Sequence, residues 1–545
     1  MAVETSPLAP LREPVFRTLW IANLSSSFGG LIQGVGAAWL MTSIADSVDL
    51  VALVQASTSL PIMMFSLFGG AIADSFNRRR VLIGAQVFML VVSALLVLAT
   101  YSGMITPWLL LGFTFFIGCG LAINNPSWQA SVGDIVPRPL LPSAVALNSI
   151  GFNLSRSFGP AVGGAIVAAA GAGMAFAINA VSYIALLVAL FLWKPAPKAE
   201  SPLPREAIGP ALLSGVRYVA MSPNIIRVML RCFMFTVAAI SVLALLPVVA
   251  ARIPGGGPLT YGILLGAYGA GAVGGALLSA RLQQTLQTET IVRMAFAGFA
   301  VCALTLAFSP WPVLTGLGLA IGGGCWVLAL SLFNVSVQLA SPRWVVGRAL
   351  SIYQTAAFGG MALGAWLWGM LAEGVSLQAS FLVAAALLLA GVVVGLKLPL
   401  PPRSALDLDP LNRWKMPQVE FDVEPRSGPV MIEITYRIRP NNVPAFMRVM
   451  TERQRIRRRD GARRWRLMRD LGNASQWIET YEAPTWTEYV RHNMRLTKAD
   501  ANISEQLRAL HDSEDPPAVR RLIERPPSWL SAIRSRPHTA DLGPH

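Results

Sequence analysis

Before residue 400 the sequence repeatedly holds charge almost out of stretches of about twenty residues, the length a helix needs to cross a hydrocarbon core of about 30 Å. Such runs lie near 18–43, 50–73, 81–101, 107–129, 143–169 and 173–193, and again near 226–251, 259–280, 290–309, 311–335, 348–371 and 377–398. A backbone surrounded by lipid must satisfy its hydrogen bonds internally, so continuous apolar runs of this length predict helices. The polar, Pro-rich stretch "KPAPKAESPLPREAIGP" separates the two sets. The expected fold class is an all-α membrane protein with 12 transmembrane helices in two six-helix halves, residues 1–195 and 225–400, joined by a cytoplasmic linker at 196–224.

Charge divides the chain in the same place. Residues 1–400 carry 19 Lys and Arg and 10 Asp and Glu, whereas residues 401–545 carry 25 and 19. The second part therefore reads as water-exposed. The net charge of +15 follows largely from topology. With the N-terminus cytoplasmic, the inner loops hold Arg12, Arg17, Arg78, Arg79, Arg80, Arg138, Lys194, Lys198, Arg205, Arg217, Arg281, Arg293, Arg343 and Arg348, and the outer loops hold Arg252 alone. The positive-inside rule then places both termini in the cytoplasm and the chain in the cell's cytoplasmic (inner) membrane, without calling for a nucleic-acid partner. The cysteines Cys119, Cys232, Cys302 and Cys325 sit singly in apolar runs. They read as packing, so no metal and no cofactor is expected. The opening "MAVETSPLAPLREPVFRTLW" is too polar for a cleavable signal.

The halves echo each other. "GGAIADSFNRRR" follows span 2 and "GGALLSARLQQT" follows span 8, so Gly70 and Asp74 correspond to Gly275 and Ser279 at the same spacing. Internal repeats of this kind are typical of transporters. Asp74 falls at the C-terminal end of its helix, where the dipole disfavours an anion by a few tenths to about 1 kcal/mol. It needs cations or another helix's N-terminus, and span 11 offers one beside Arg348. Gly70, Asp74, Arg78, Arg79 and Arg348 are expected to form an inner latch between the halves, with Arg80 as a topology anchor.

Span 5 holds the most informative single residue. Arg156 lies well inside it, at a cost of at least about 2.5–3.5 kcal/mol unless it faces protein or water. Ser149, Asn153, Arg156 and Pro160 share a helical face. That polar stripe reads as cavity lining, with an anionic or polyhydroxylated substrate as the partner of the guanidinium. Asn23 and Gln33 in span 1, Asn125 in span 4, and Trp326, Tyr353 and Gln354 in the second half are further candidates for the transport cavity. Gly159, Pro160, Gly163 and Gly164 allow close packing and a bend.

Several of these motifs mark a resemblance. "GAIADSFNRRR" resembles the loop 2–3 signature of the major facilitator superfamily, and "GPAVGG" at 159–164 resembles the signature of its exporters in the fifth helix. "DIVPRPLLPSAVALNSIGFNLSRSFGPAVGG" is similar to the branch that includes the enterobactin exporter and related secretion transporters, and the tail resembles a soluble extension found in some of that branch. The loop signature departs at Ser75 and Asn77, and the helix 5 signature at Ser155. The resemblance implies the major facilitator fold, export of a small organic molecule that is siderophore-like or drug-like, alternating access and proton coupling. It implies a transporter rather than an enzyme.

After a linker at 401–428, "MIEITYRIRP" alternates as a strand and "NNVPAFMRVMTERQRIRRR" reads as a helix. Two strands and one or two helices follow, giving an α+β domain over 429–515 of ferredoxin-like order, with a flexible tail at 516–545. Arg455, Arg457, Arg458 and Arg459 read as a solvated face that also permits contact with anionic lipid, and His492 as a lone histidine without a metal set. An enzyme, a ligand sensor and a dimer-forming module all remain open for this domain. The alternatives for the whole chain are a membrane sensor signalling through the tail, or a transporter with an oxygenase-like tail.

Overall fold

The computed structural model describes residues 8–137, 140–194, 208–342, 344–401, 419 and 423–524, with no side chain described at 67, 69–75, 142, 146, 149, 152–153, 157, 208, 210–211 and 499. The chain divides into two compact units, a helical bundle and a C-terminal unit beginning at Leu406.

The bundle contains α1 (Pro14–Ile44), α2 (Val48–Ser75), α3 (Arg78–Tyr101), α4 (Pro107–Ile135), α5 (Leu141–Leu192), a short α6 (Ile208–Ala220), α7 (Pro223–Arg252), α8 (Pro258–Thr285), α9 (Thr288–Phe308), α10 (Pro312–Leu339), α11 (Val346–Gly374) and α12 (Leu377–Lys397). Among the described residues, 10 helices are long and apolar enough to cross a bilayer. Pro14, Pro107, Pro258 and Pro312 each open a helix, where a missing N–H costs nothing. Thr106 and Ser376 cap α4 and α12 by accepting from the Leu109 and Ala379 amides. At 52 residues α5 is too long for one span, and it turns at Gly171, whose φ of 77° is strained for any residue with a Cβ. Two of the expected spans are thus two arms meeting at one glycine. The expected linker at 196–224 is partly helical, because α6 occupies 13 residues of it.

Within the first half, Phe16, Leu19, Leu82, Trp128, Leu147, Leu186 and Leu190 form a common core. In the second, the Phe235 ring lies 5.0 Å from Phe296 and 6.0 Å from Trp326. Two seams join the halves, α2 on α11 and α5 on α8. An internal repeat predicts this pairing. Advancing each member of the first seam by six spans, counting cyclically, produces the second.

Arg231 and Glu289 form a buried clasp that sequence reading passes over. The Arg231 side chain is fully buried, and its Nη1 donates to both Glu289 oxygens at 3.0 and 3.1 Å and to the Leu398 carbonyl at 3.2 Å. Glu289 Oε2 also accepts from the Leu400 amide at 2.9 Å. The start of α7, the start of α9 and the chain leaving α12 are held together. Gly395 makes room, since a Cβ there would lie 2.8 Å from Arg231 Nη2.

The C-terminal unit contains β1 (Val430–Arg437), α13 (Val443–Arg459), β2 (Arg463–Arg469), β3 (Gln476–Ala483), α14 (Trp486–Met494), α15 (Lys498–Leu510) and β4 (Ala518–Ile523). The sheet order is β2-β3-β1-β4, every pair antiparallel. Val430, Ile432, Ile434 and Tyr436 alternate inward from β1 onto Phe446, Met450, Tyr489 and Leu507. β4 corrects the expected boundary, because it lies in the stretch read as a flexible tail after 515. It is an edge strand with five of six residues exposed and arginines at its centre, so it lacks the alternation that reveals a strand.

Removing one partner of a buried ion pair leaves an uncompensated charge, at a cost of about 3 kcal/mol or more. Glu289→Gln is expected to lower the thermal stability of the detergent-solubilised protein clearly, and Arg231→Met combined with Glu289→Leu to recover most of the loss. Unchanged melting of Glu289→Gln would show that the clasp is not stabilising.

Candidate functional site

The α5–α8 seam closes on glycine. A Cβ built on Gly164 would lie 2.7 Å from the Gly262 Cα and 2.7 Å from the Pro258 carbonyl oxygen, and one on Gly262 would lie 2.8 Å from the Pro160 carbonyl oxygen. Trp39 and Tyr261 stack near this crossing with centroids 6.4 Å apart. Gly159 and Gly163 serve a different neighbour, α1, where a Cβ would meet Leu31 at 3.0 Å and the Ile32 Cα at 3.1 Å. The motif therefore seats one helix of its own half and one of the other.

The α2–α11 seam is fastened by polar groups. Glu373, at the end of α11, accepts from the Val48 amide in the first turn of α2 at 2.7 Å. A carboxylate at a helix N-terminus satisfies an orphan donor and is favoured by the dipole. Farther along, a Cβ on Gly369 would meet the Asp49 Cα at 3.0 Å. The Ser66 and Thr355 hydroxyls lie 3.0 Å apart. Nothing local in the sequence marks this contact, because the partner of Glu373 is 325 residues away.

Arg156 lies midway along the first arm of α5, about 22 Å from either end at 1.5 Å per residue. It is half-buried. On α8, the Tyr268 hydroxyl is enclosed with no hydrogen-bond partner among the described residues. Ser149 and Asn153, expected on the same stripe, lie outside the described side chains.

The other expected cavity residues separate into two groups. Asn23 and Gln354 are partly buried and Asn125 is exposed. On α1, Gly30 and Gly34 share the face of Asn23 and have open space before them. Gln33 is instead buried inside its own half, accepting from Ser93 at 3.2 Å and from Asn179, which also donates to Tyr183 at 3.0 Å. Trp326 packs in the Phe235–Phe299 cluster, and Tyr353 is buried with its hydroxyl donating to the Leu330 carbonyl at 3.1 Å. These three were expected to line the cavity. They correct to core, because a shared helical face does not say which neighbour it meets.

Of the expected latch, Gly70 and Asp74 lie outside the described side chains. Arg78 donates to the Ala130 carbonyl at 2.7 Å and to Asp134 at 2.9 Å. Arg79 caps the end of α5, donating to the Leu190 and Phe191 carbonyls at 2.8 and 2.9 Å. These contacts stay within the first half. Arg348 donates to Ser214 of α6 at 2.8 Å.

The C-terminal unit encloses a charged cluster. Glu479 accepts from Arg453 Nε, Tyr436 and Trp465 at 2.8, 2.8 and 3.0 Å. Arg457 Nη1 meets His492 Nε2 at 2.8 Å, and Arg459 pairs with Asp460 and Asp500. Arg457 and Arg459 thus turn inward, correcting the expectation of a solvated face. Burial raises the Glu479 carboxyl, but Arg453 and Arg457 overcome it and hold it down at about 2. Burial and then the Arg457 guanidinium lower His492 to about 3. Its Nε2 lone pair is engaged by Arg457, which leaves it a poor general base. A cavity of about 10 Å³ lined by Asp460, Tyr481, Glu488 and His492 adjoins it, room for about one water. Among the described residues, no group of His, Cys, Asp and Glu is placed to hold a metal.

The profile of a family described as transmembrane secretion effectors matches residues 5–527. The chain is 26% identical to the multidrug efflux pump Tap of Mycolicibacterium fortuitum, over 70% of this chain and 95% of that protein. It is 25% identical to the staphyloferrin A transporter of Staphylococcus aureus, over 52% of this chain and 72% of that one. Among solved structures it resembles a nucleoside transporter, with a TM-score of 0.58 at 11% identity over 71% of this chain and all of the other (100%). It also resembles a bacterial homologue of the human lysosomal transporter Spinster in an inward-facing, unoccupied conformation, with a TM-score of 0.52 at 16% identity over 70% and 94%. These structural likenesses establish the fold of the bundle.

Backbone contact at the glycine crossing leaves no room for a methyl group. Gly262→Ala is expected to disfavour the closed seam and to raise, several-fold, the reactivity of a thiol at Gly34→Cys in a cysteine-free protein; an unchanged rate would mean the crossing does not limit access. In the C-terminal unit, the depressed His492 value makes the unfolded state bind the extra proton between about pH 6.5 and 3. Stability there falls with acid by up to about 1.4 kcal/mol per pH unit, and Glu479 adds its own loss from about 4.5 down to 2. His492→Asn is expected to flatten the loss above pH 4.5 in denaturant titrations of the full chain. Retention of the wild-type slope would assign it to other groups.

Proposed function

We propose, from the premise that this chain belongs to the transmembrane secretion effector family of the major facilitator superfamily, that it exports a small organic molecule across the cytoplasmic membrane by alternating access. The bundle on this reading has twelve spans, with α1 and both arms of α5 counted, and both termini cytoplasmic. The Glu373 and Gly164–Gly262 contacts then lie at the outer end and close it. Asp74, with Gly70 and Arg348, is the proposed counterpart at the inner end, where Arg78 and Arg79 brace the first half, so the two carboxylates, Glu373 of α11 against α2 and Asp74 of α2 against α11, would fasten opposite faces in turn. Protons are the proposed coupling ion. The C-terminal unit, with strand order and connections of the ferredoxin-like kind, is proposed as an accessory module.

The observation that carries this reading is Arg156, half-buried at mid-span on the helix that forms the α5–α8 seam. A guanidinium at that depth is costly unless it faces protein or water. An acceptor-rich, anionic guest would match it. Siderophore-like and drug-like molecules fit that description, and the staphyloferrin A and multidrug relatives support the class. Asn23, Asn125, Ser149, Asn153 and Gln354 remain the proposed lining.

Export from cells challenged with a panel of carboxylate siderophores and drugs tests the reading. Arg156→Ala is expected to reduce export at least tenfold at equal membrane abundance, and Arg156→Lys to restore part of it for anionic substrates. Wild-type export by Arg156→Ala would remove the arginine from the pathway.

A further inference from the structure

β2 is an edge strand of the C-terminal sheet and reads "RRWRLMR". Arg463, Arg464 and Arg466 are all exposed on it. The hairpin that follows ends in a leucine held entirely in the open, since Leu471 is 103% exposed, with Met468 at 42% nearby. The turn is firmly built. Asp470 accepts from the Gly472 and Asn473 amides at 2.7 and 3.3 Å, and Asn473 accepts from the Ser475 amide at 3.1 Å. Arg469 donates to the Ala474 carbonyl at 2.8 Å and lies over the Trp477 ring. Leu471 is therefore presented by a fixed scaffold.

Arginines alone on an edge strand have a plain explanation, since charge there prevents pairing with another chain. A bare leucine at the tip of the same hairpin has the opposite effect, because it invites an apolar environment. The two together match a surface with anionic groups outside and hydrocarbon just beneath. The nearby acids do not cancel the charge. Asp470 in the turn and Glu482, 3.4 Å from Arg464, still leave the strand net positive against Arg463, Arg464, Arg466 and Arg469. A bilayer is always within reach, because α12 ends at Lys397 and β1 starts at Val430, a tether that keeps the local lipid concentration high.

We propose that the β2–β3 hairpin docks the C-terminal unit on an anionic lipid surface, with Arg463, Arg464 and Arg466 on the headgroups and Leu471 inserted beneath them. The contact is electrostatic in reach and apolar in anchorage, so it weakens with salt and with loss of either component.

The test uses the full chain with its four cysteines replaced, a small apolar fluorophore on Leu471→Cys, and nanodiscs of phosphatidylcholine with or without phosphatidylglycerol. The readout is quenching by spin-labelled lipid against quenching by a water-soluble reagent. With phosphatidylglycerol present the lipid-borne quencher is expected to dominate. Its docked-to-free ratio should fall roughly fivefold for each of the three arginines changed to Gln, and also at high salt. Equal quenching in pure phosphatidylcholine, or no response to the arginine substitutions, would overturn the proposal. Protection from both quenchers would also overturn it, by showing a protein surface over the tip.

Discussion

Two backbones, one from each half of the bundle, come together at Gly164 and Gly262 with nothing between them. In lipid no hydrophobic force drives helix against helix, because the tails are as apolar as leucine, and cohesion comes from close packing and short polar contacts. Contact at that distance is strong while it lasts and has no partial form. A seam built this way is either shut or parted, which is the property a two-state transporter needs from its gate. The α2–α11 seam adds Glu373 and the Ser66–Thr355 pair, whose bonds water can replace once the helices separate.

Charge is treated differently within each half and at the seams between them. Arg231 is sealed away with Glu289 and two backbone groups, and Arg79 is spent on carbonyls at a helix end. Such arrangements fix helices within one half. At the seams the polar groups are weaker and more solvated, as with Glu373. Arg156 falls between these cases, half-buried at mid-span, which is why it is proposed for the transport pathway.

Much of the fold was legible because its signals are local. Hydropathy marks the spans, arginines mark their ends, and the shared spacing of Gly70 and Gly275 announces the repeat that later appears as paired seams. The site was less legible, for a geometric reason. Helical periodicity says that Asn23 and Gln33 lie near one face, but about 80° of rotation decides between open space and the interior of the half, and Gln33 takes the interior. Trp326 and Tyr353 were misread in the same way. Glu373 on Val48 has no local trace, and the packing glycines at 159–164 do not reveal that Gly262 is the partner of Gly164. In the C-terminal unit, β4 escaped notice because an exposed edge has no inner face to pattern, and Arg457 and Arg459 because a buried arginine looks like a solvated one until its carboxylate is found.

The Arg231–Glu289 clasp has a mechanical consequence. By gripping Leu398 and Leu400 it sets the root of the leash to the C-terminal unit, and it does so on α7 and α9 as well as on α12. Tension along that leash is therefore borne by three helices of the second half acting as one block, and the end of α12 is spared from being peeled away.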